Sequence, residues 1–162
     1  MVFFFHTYMS HQLVETWEIN GRIAAYLLEH IENEWLTDVP ASRGRTVGEQ
    51  FAHLHNVRLM WLKAAAPEYL EGLERFEKGQ NLSKDILQNY LSRSAGAISR
   101  LIEKGIAENG KIKGFKPHAT AFTGYLISHE SHHRGQIMLA LKQAGRKMSK
   151  SVGFGLWEWG TR

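Results

Sequence analysis

Residues 129–136 read HESHHRGQ and place three imidazoles within five positions. Imidazole is the commonest metal-ligating side chain, and spacing decides which rings can share one ion. On a helix, residues four apart lie one turn above each other, so His129 and His133 face the same way, whereas His132 lies about 100° around the axis from His133. Phe122, Leu126, Ile137, Ala140 and Ala144 continue the same three-or-four spacing, so both histidines fall where an inward, apolar residue is expected. Two imidazoles in a low-dielectric interior each need a partner, and one shared divalent cation serves both.

A reactive metal site needs a third protein ligand and an open position. Helix-forming sequence around Phe51-Ala52-His53-Leu54 supplies His53, beside the inward positions Val47, Leu54, Val57 and Trp61. His55, about 200° from His53 around the axis, reads as a surface or helix-boundary residue. His6, His11, His30 and His118 fall in termini, a helix flank and a loop, and read as solvated. Three neutral imidazoles suit Zn, Ni, Cu or Fe.

The segment 129–133 also satisfies H-E-x-x-H, the zinc peptidase signature in which Glu130 would act as general base. Its elongated form fails, because Gly135 follows His133 too closely. A downstream ligand such as Glu158 would have to come from a tail with no expected helix to hold it. This is an alternative reading: a metal-dependent hydrolase.

These side chains need rods to carry them. Apolar residues recur every three or four positions across four segments, and nothing resembles alternating strands, so the chain is expected to be all-α. The first segment covers residues 10–35, with Leu13, Trp17, Ala24, Leu27, Leu28 and Ile31 inward and Gly21 offering a bend. Thr46-Val47-Gly48-Glu49 matches a capping box and opens a second helix to residue 65, ahead of Pro67. Residues 68–80 hold at most a short helical turn. Ser83 caps a third helix to residue 107, and a fourth spans 119–144, stopped by Gly145. The expected architecture is a four-helix bundle, open to crossover topology, with an irregular C-terminal tail, residues 146–162. In that tail Phe154, Leu156, Trp157 and Trp159 could form a lid over the metal pocket or a strap packed on the bundle, and the strap is the favoured reading.

Composition bounds the rest. A chain of 162 residues with 43% hydrophobic content suits a single domain over 1–162, which at this length buries roughly 70% of its unfolded surface. Twenty Lys and Arg against 16 Asp and Glu give a net charge of +4 with no dense basic run, so nucleic acid is not an expected partner. The chain has no cysteine, which removes thiolate ligands and nucleophiles from the protein itself. The opening MVFFFHTY has an apolar patch too short for a membrane span and lacks a basic leader, so no membrane partner is expected and the cytoplasm is the expected location.

Taken in order, the segment around His53, the run His129 to Gln136 in the form H-x-x-x-H-R-G-Q, and the tail Phe154-Gly155-Leu156-Trp157-Glu158-Trp159-Gly160 resemble the DinB and YfiT-like family of metalloenzymes. The resemblance covers nearly the whole chain. It implies a four-helix bundle that often dimerises, with His53, His129 and His133 ligating a divalent metal ion, nickel or zinc. It also implies a transferase that uses a low-molecular-weight thiol against an electrophilic substrate. Arg134 could then attract a thiol carboxylate, and Gln136 could orient a bound water; their plainer readings are a surface charge and a packing amide. A noncatalytic, stress-related protein binding a metal or small ligand is the other alternative. No catalytic or cofactor-binding residue is assigned from sequence.

Overall fold

The computed structural model describes residues 2–162, with side chains from residue 11 onward. The apolar patch at residues 2–5 and the imidazole of His6 therefore lie outside the described residues. Four long helices carry the fold: α1 (Val2–Glu29), α2 (Val47–Ala65), α3 (Lys84–Ala107) and α4 (Ala119–Gln143). Single 3₁₀ turns follow α1 (Asn33–Thr37) and α2 (Pro67–Leu70), and there is no β-strand among the described residues.

The helix boundaries follow local chemistry. The Thr46 hydroxyl accepts from the Glu49 amide at 3.1 Å while the Glu49 carboxylate accepts from the Thr46 amide at 2.8 Å, the reciprocal capping box. Ser83 accepts from the Ile86 amide and opens α3. His118 is solvent-exposed as expected, yet it also has a task, since its Nδ1 accepts the Ala121 amide and caps α4. At the other end of α4, Gly145 takes φ +76°, the Arg146 amide reaches Leu141 and the Gly145 amide reaches Lys142, a Schellman stop. The first helix ends at Glu29, earlier than the periodicity predicts, because Trp35 and Leu36 continue the apolar pattern in a 3₁₀ turn.

Two apolar clusters give the topology. One joins Val14 and Trp17 of α1, Leu62 of α2, Leu101 of α3 and Phe122 of α4. The other joins Leu27 and Leu28 of α1, Phe51 of α2, Leu87 of α3 and Ile137 of α4. The middle of α1 and the start of α4 thus meet the ends of α2 and α3, while the end of α1 meets their starts, so α1 and α4 run one way and α2 and α3 the other. Two consecutive parallel helices require a connection that travels the length of the bundle, and residues 66–83 make that crossover.

Between the two clusters lies a polar layer. Glu130, 1% exposed, receives a bidentate pair from Arg58, with Nε to Oε1 at 2.7 Å and Nη2 to Oε2 at 2.9 Å. Asn20 donates to Oε2 at 2.7 Å, and Arg58 Nη1 donates to the Leu91 carbonyl at 2.8 Å and to Ser94 at 3.2 Å. The guanidinium also lies 5.1 Å from the Trp17 ring centroid. Asn20, Arg58, Ser94 and Glu130 come from α1, α2, α3 and α4 in turn.

The tail is more ordered than expected. A short helix α5 (Lys150–Gly155) is capped by Ser149, buries Val152 and packs Leu156 against the distal cluster. The Arg162 guanidinium lies 3.7 Å from the Tyr26 ring centroid. The strap reading holds for Leu156 and the half-buried Trp159 and fails for the other two aromatics, since Phe154 is 69% and Trp157 81% exposed.

Removing one member of a buried ion pair leaves the other charged and unpartnered, which costs about 3–5 kcal/mol. Glu130→Ala and Arg58→Ala are each expected to lower the unfolding free energy by that order in urea titrations. The double variant Arg58→Met/Glu130→Leu should recover much of the loss; additive losses would mean the pair does not act as a unit.

Candidate metal centre

His53 stands five residues before Arg58 on α2, and His129 and His133 flank Glu130 on α4. The pairing of Arg58 with Glu130 therefore sets the level at which the imidazoles of α2 and α4 meet. One ring nitrogen from each of His53, His129 and His133 lies within 4.8 Å of the other two. Ring centroids are 4.6 Å apart for His53 and His133, 4.6 Å for His129 and His133, and 5.3 Å for His53 and His129.

The closest approach is Nε2 of His129 to Nε2 of His133, at 3.2 Å. A tetrahedral ion about 2.0–2.1 Å from each ligand nitrogen sets neighbouring nitrogens roughly 3.3 Å apart, so this spacing suits a shared cation. Without an ion, a proton on His129 Nε2 can bridge this gap to His133 Nε2, and a cation would take that proton's place. The donor set is thus three imidazoles that could hold one divalent ion, with no further protein ligand grouped with them among the described residues.

Gln50, a residue the sequence reading did not single out, prepares this arrangement. It is buried one turn before His53 on α2, and its side-chain oxygen accepts from His133 Nδ1 at 2.6 Å. Fixing the proton on Nδ1 leaves the Nε2 lone pair of His133 turned toward His129. His129 Nδ1 is buried without a hydrogen-bond partner.

All three rings are held neutral. Burial pushes His53 down to about 4, helped by the positive charge of Arg45 and by His129. Burial likewise pushes His133 down to about 4, followed by the neighbouring imidazoles His129, His53 and His132 and then by Arg45. His129 is lowered by burial, with Glu130 opposing and His132 and Arg45 assisting. Near neutrality no proton competes for these lone pairs.

Other sequence expectations are corrected. His55 is fully buried and not at the surface: its Nε2 lies 2.8 Å from the Glu74 carbonyl and its Nδ1 3.1 Å from that of Tyr90. A neutral ring donates to one of them, and the residue ties the crossover to α2 and α3. Asn56 holds the same segment through paired hydrogen bonds with the Phe76 backbone. Glu130 has both oxygens engaged by Arg58 and one also by Asn20, so the H-E-x-x-H reading loses its general base. Arg134 is not a surface charge: it is buried, with Nη1 3.9 Å from Glu130 and without a hydrogen-bond partner, while Nη2 donates to Ser131. Gln136 is half-buried and forms no hydrogen bond with the imidazoles among the described residues. Glu158 is exposed on the tail, where it pairs with Arg162. His11 is exposed and His132 points outward beside His133. His30 is half-buried, its Nδ1 2.8 Å from the Tyr26 carbonyl.

A family model for the DinB family matches residues 5–154. No curated protein and no solved structure gives a significant match.

The imidazoles also set a pH dependence. Their folded-state values lie below the ordinary 6.5, so between pH 6.5 and about 4 the unfolded chain binds more protons than the folded one. Stability of the metal-free protein should be full above pH 6.5 and decline as pH falls toward 4. Thermal melts across that window should show the decline, and His133→Phe should flatten it; an equally steep profile in the variant would place the titration elsewhere.

Proposed function

The chain belongs to the DinB family, and from that premise together with the imidazole cluster we propose that His53, His129 and His133 ligate one divalent metal ion, nickel or zinc, in a thiol-dependent transferase. The observation that carries the reading is the convergence of three neutral imidazoles from two helices on one point. When bound, the ion would supply positive charge that lowers the pKa of a low-molecular-weight thiol and favours its nucleophilic form. Transfer joins the thiol sulfur to a carbon of the electrophile, releases that carbon's leaving group, and passes the thiol proton to solvent.

The chain's own residues contribute positioning. Gln50 holds the His133 ring in the tautomer that offers Nε2. On the opposite flank, Tyr125 stacks on His129 with ring centroids 6.3 Å apart, and Trp61 lies 5.8 Å from Tyr125, giving an apolar wall for the body of an electrophilic substrate. With no cysteine in the chain, no protein thiol competes with the small-molecule thiol.

The proposal extends to a single cytoplasmic domain that pairs as a homodimer. Among the described residues no helix is long and apolar enough to cross a membrane. Pairing would cover the exposed Phe154 and Trp157.

Purified protein should bind nickel or zinc in equimolar amount, and His53→Ala should bind far less. Gln50→Ala, which removes the group that orients a ligand, should weaken metal affinity by about 10–100-fold. Conjugation of thiols to monochlorobimane by the metal-loaded protein, lost in His53→Ala, would support the transferase; absence of conjugation across thiols and both metals would contradict it.

A further inference from the structure

Beside His53 the crossover borders an open cavity of about 320 Å³ whose charged lining is Arg45, Arg75 and Lys78 against Glu49 and Glu77. The Glu49 carboxylate already serves the Thr46 amide. None of the three exposed cations forms an ion pair among the described residues, and with three cations against two carboxylates the lining carries a surplus of one positive charge. Nor is the wall adventitious: Asn56 and His55 fix the backbone at residues 74–76, which sets where Arg75 and Lys78 emerge.

We propose that this cavity is the anchoring subsite for a small anionic ligand, its carboxylate bound by Arg45 with Arg75 and Lys78, and its other end directed at His53. The inference rests on the proposed metal site for its purpose and adds the substrate class: an acidic small molecule, not a neutral or cationic one. Arg45 and His53 line the same cavity, so a group seated on Arg45 lies on the His53 side of the cluster. Arginine suits the role, because its planar fork matches a carboxylate and its charge does not titrate. Arg134, the residue sequence order suggests for this task, is committed to the Glu130 layer. The subsite is therefore built from the loop before α2 and from the crossover, which the linear motif around His129 does not reveal.

The decisive comparison uses N-acetylcysteine and its carboxamide, which differ by one negative charge and share the thiol. Each is titrated calorimetrically into wild type, Arg45→Ala and Arg45→Lys, in metal-free and nickel-loaded protein. In wild type the carboxylate form should bind at least about tenfold more tightly than the amide, the order expected for a hydrogen-bonded charge pair. Arg45→Ala should lose that preference while nickel is still bound, Arg45→Lys should keep part of it, and added salt should shrink it. Equal binding of the two thiols by wild type, or an undiminished preference in Arg45→Ala, overturns the subsite. Failure of wild type to bind nickel overturns the metal-site reading instead, and the metal-free titrations still decide the anion question.

Discussion

Glu130 occupies the middle of a four-helix bundle at 1% exposure, where an unpaired carboxylate would be severely destabilising. Arg58 answers it with two short hydrogen bonds, and Asn20 and Ser94 complete the arrangement, so every helix of the bundle contributes one polar group to one layer. Apolar packing tolerates sliding by a turn, since leucines and isoleucines make similar contacts in neighbouring positions. A bidentate guanidinium–carboxylate pair does not, because a shift of one turn separates the charges. The layer thereby fixes α2 against α4, and that register brings His53 opposite His129 and His133.

The imidazole cluster inherits its properties from this placement. Partly or wholly buried and near Arg45, the rings are kept from protonating, which preserves three lone pairs for a cation. Gln50 selects the nitrogen that His133 presents. The crossover, held by His55 and Asn56, supplies the charged flank, and Trp61 with Tyr125 supplies the apolar one. One side of the cluster is thus cationic and the other aromatic.

Much of this was legible in order along the chain. The capping box at Thr46, the Ser83 cap and the Gly145 stop are local signals, and local signals survive folding. The histidine set was equally accessible, because i, i+4 spacing on an inward stripe needs no knowledge of other helices. What escaped depends on partners remote in sequence. Helical phase put His55 away from the site, which is correct, but only the crossover returning over α2 buries it. Glu130 matched a peptidase signature, and its true partner is Arg58, seventy-two positions away. The clue lay in Asn20 and Arg58, polar residues on otherwise apolar stripes beside Trp17, Leu54 and Leu62. In the tail, the assumption that large aromatics pack inward failed for Phe154, whose six-residue helix can bury only one face, and for Trp157 in the turn that follows it.

All of this chemistry depends on three imidazoles sharing one cation. X-ray absorption at the metal edge of nickel- or zinc-loaded protein near neutral pH tests it most directly. Three imidazole nitrogens should appear at about 2.0–2.1 Å, with the outer-shell scattering of intact rings and lighter ligands filling the remaining positions. A spectrum with oxygen ligands alone, or with a single imidazole, would contradict the claim.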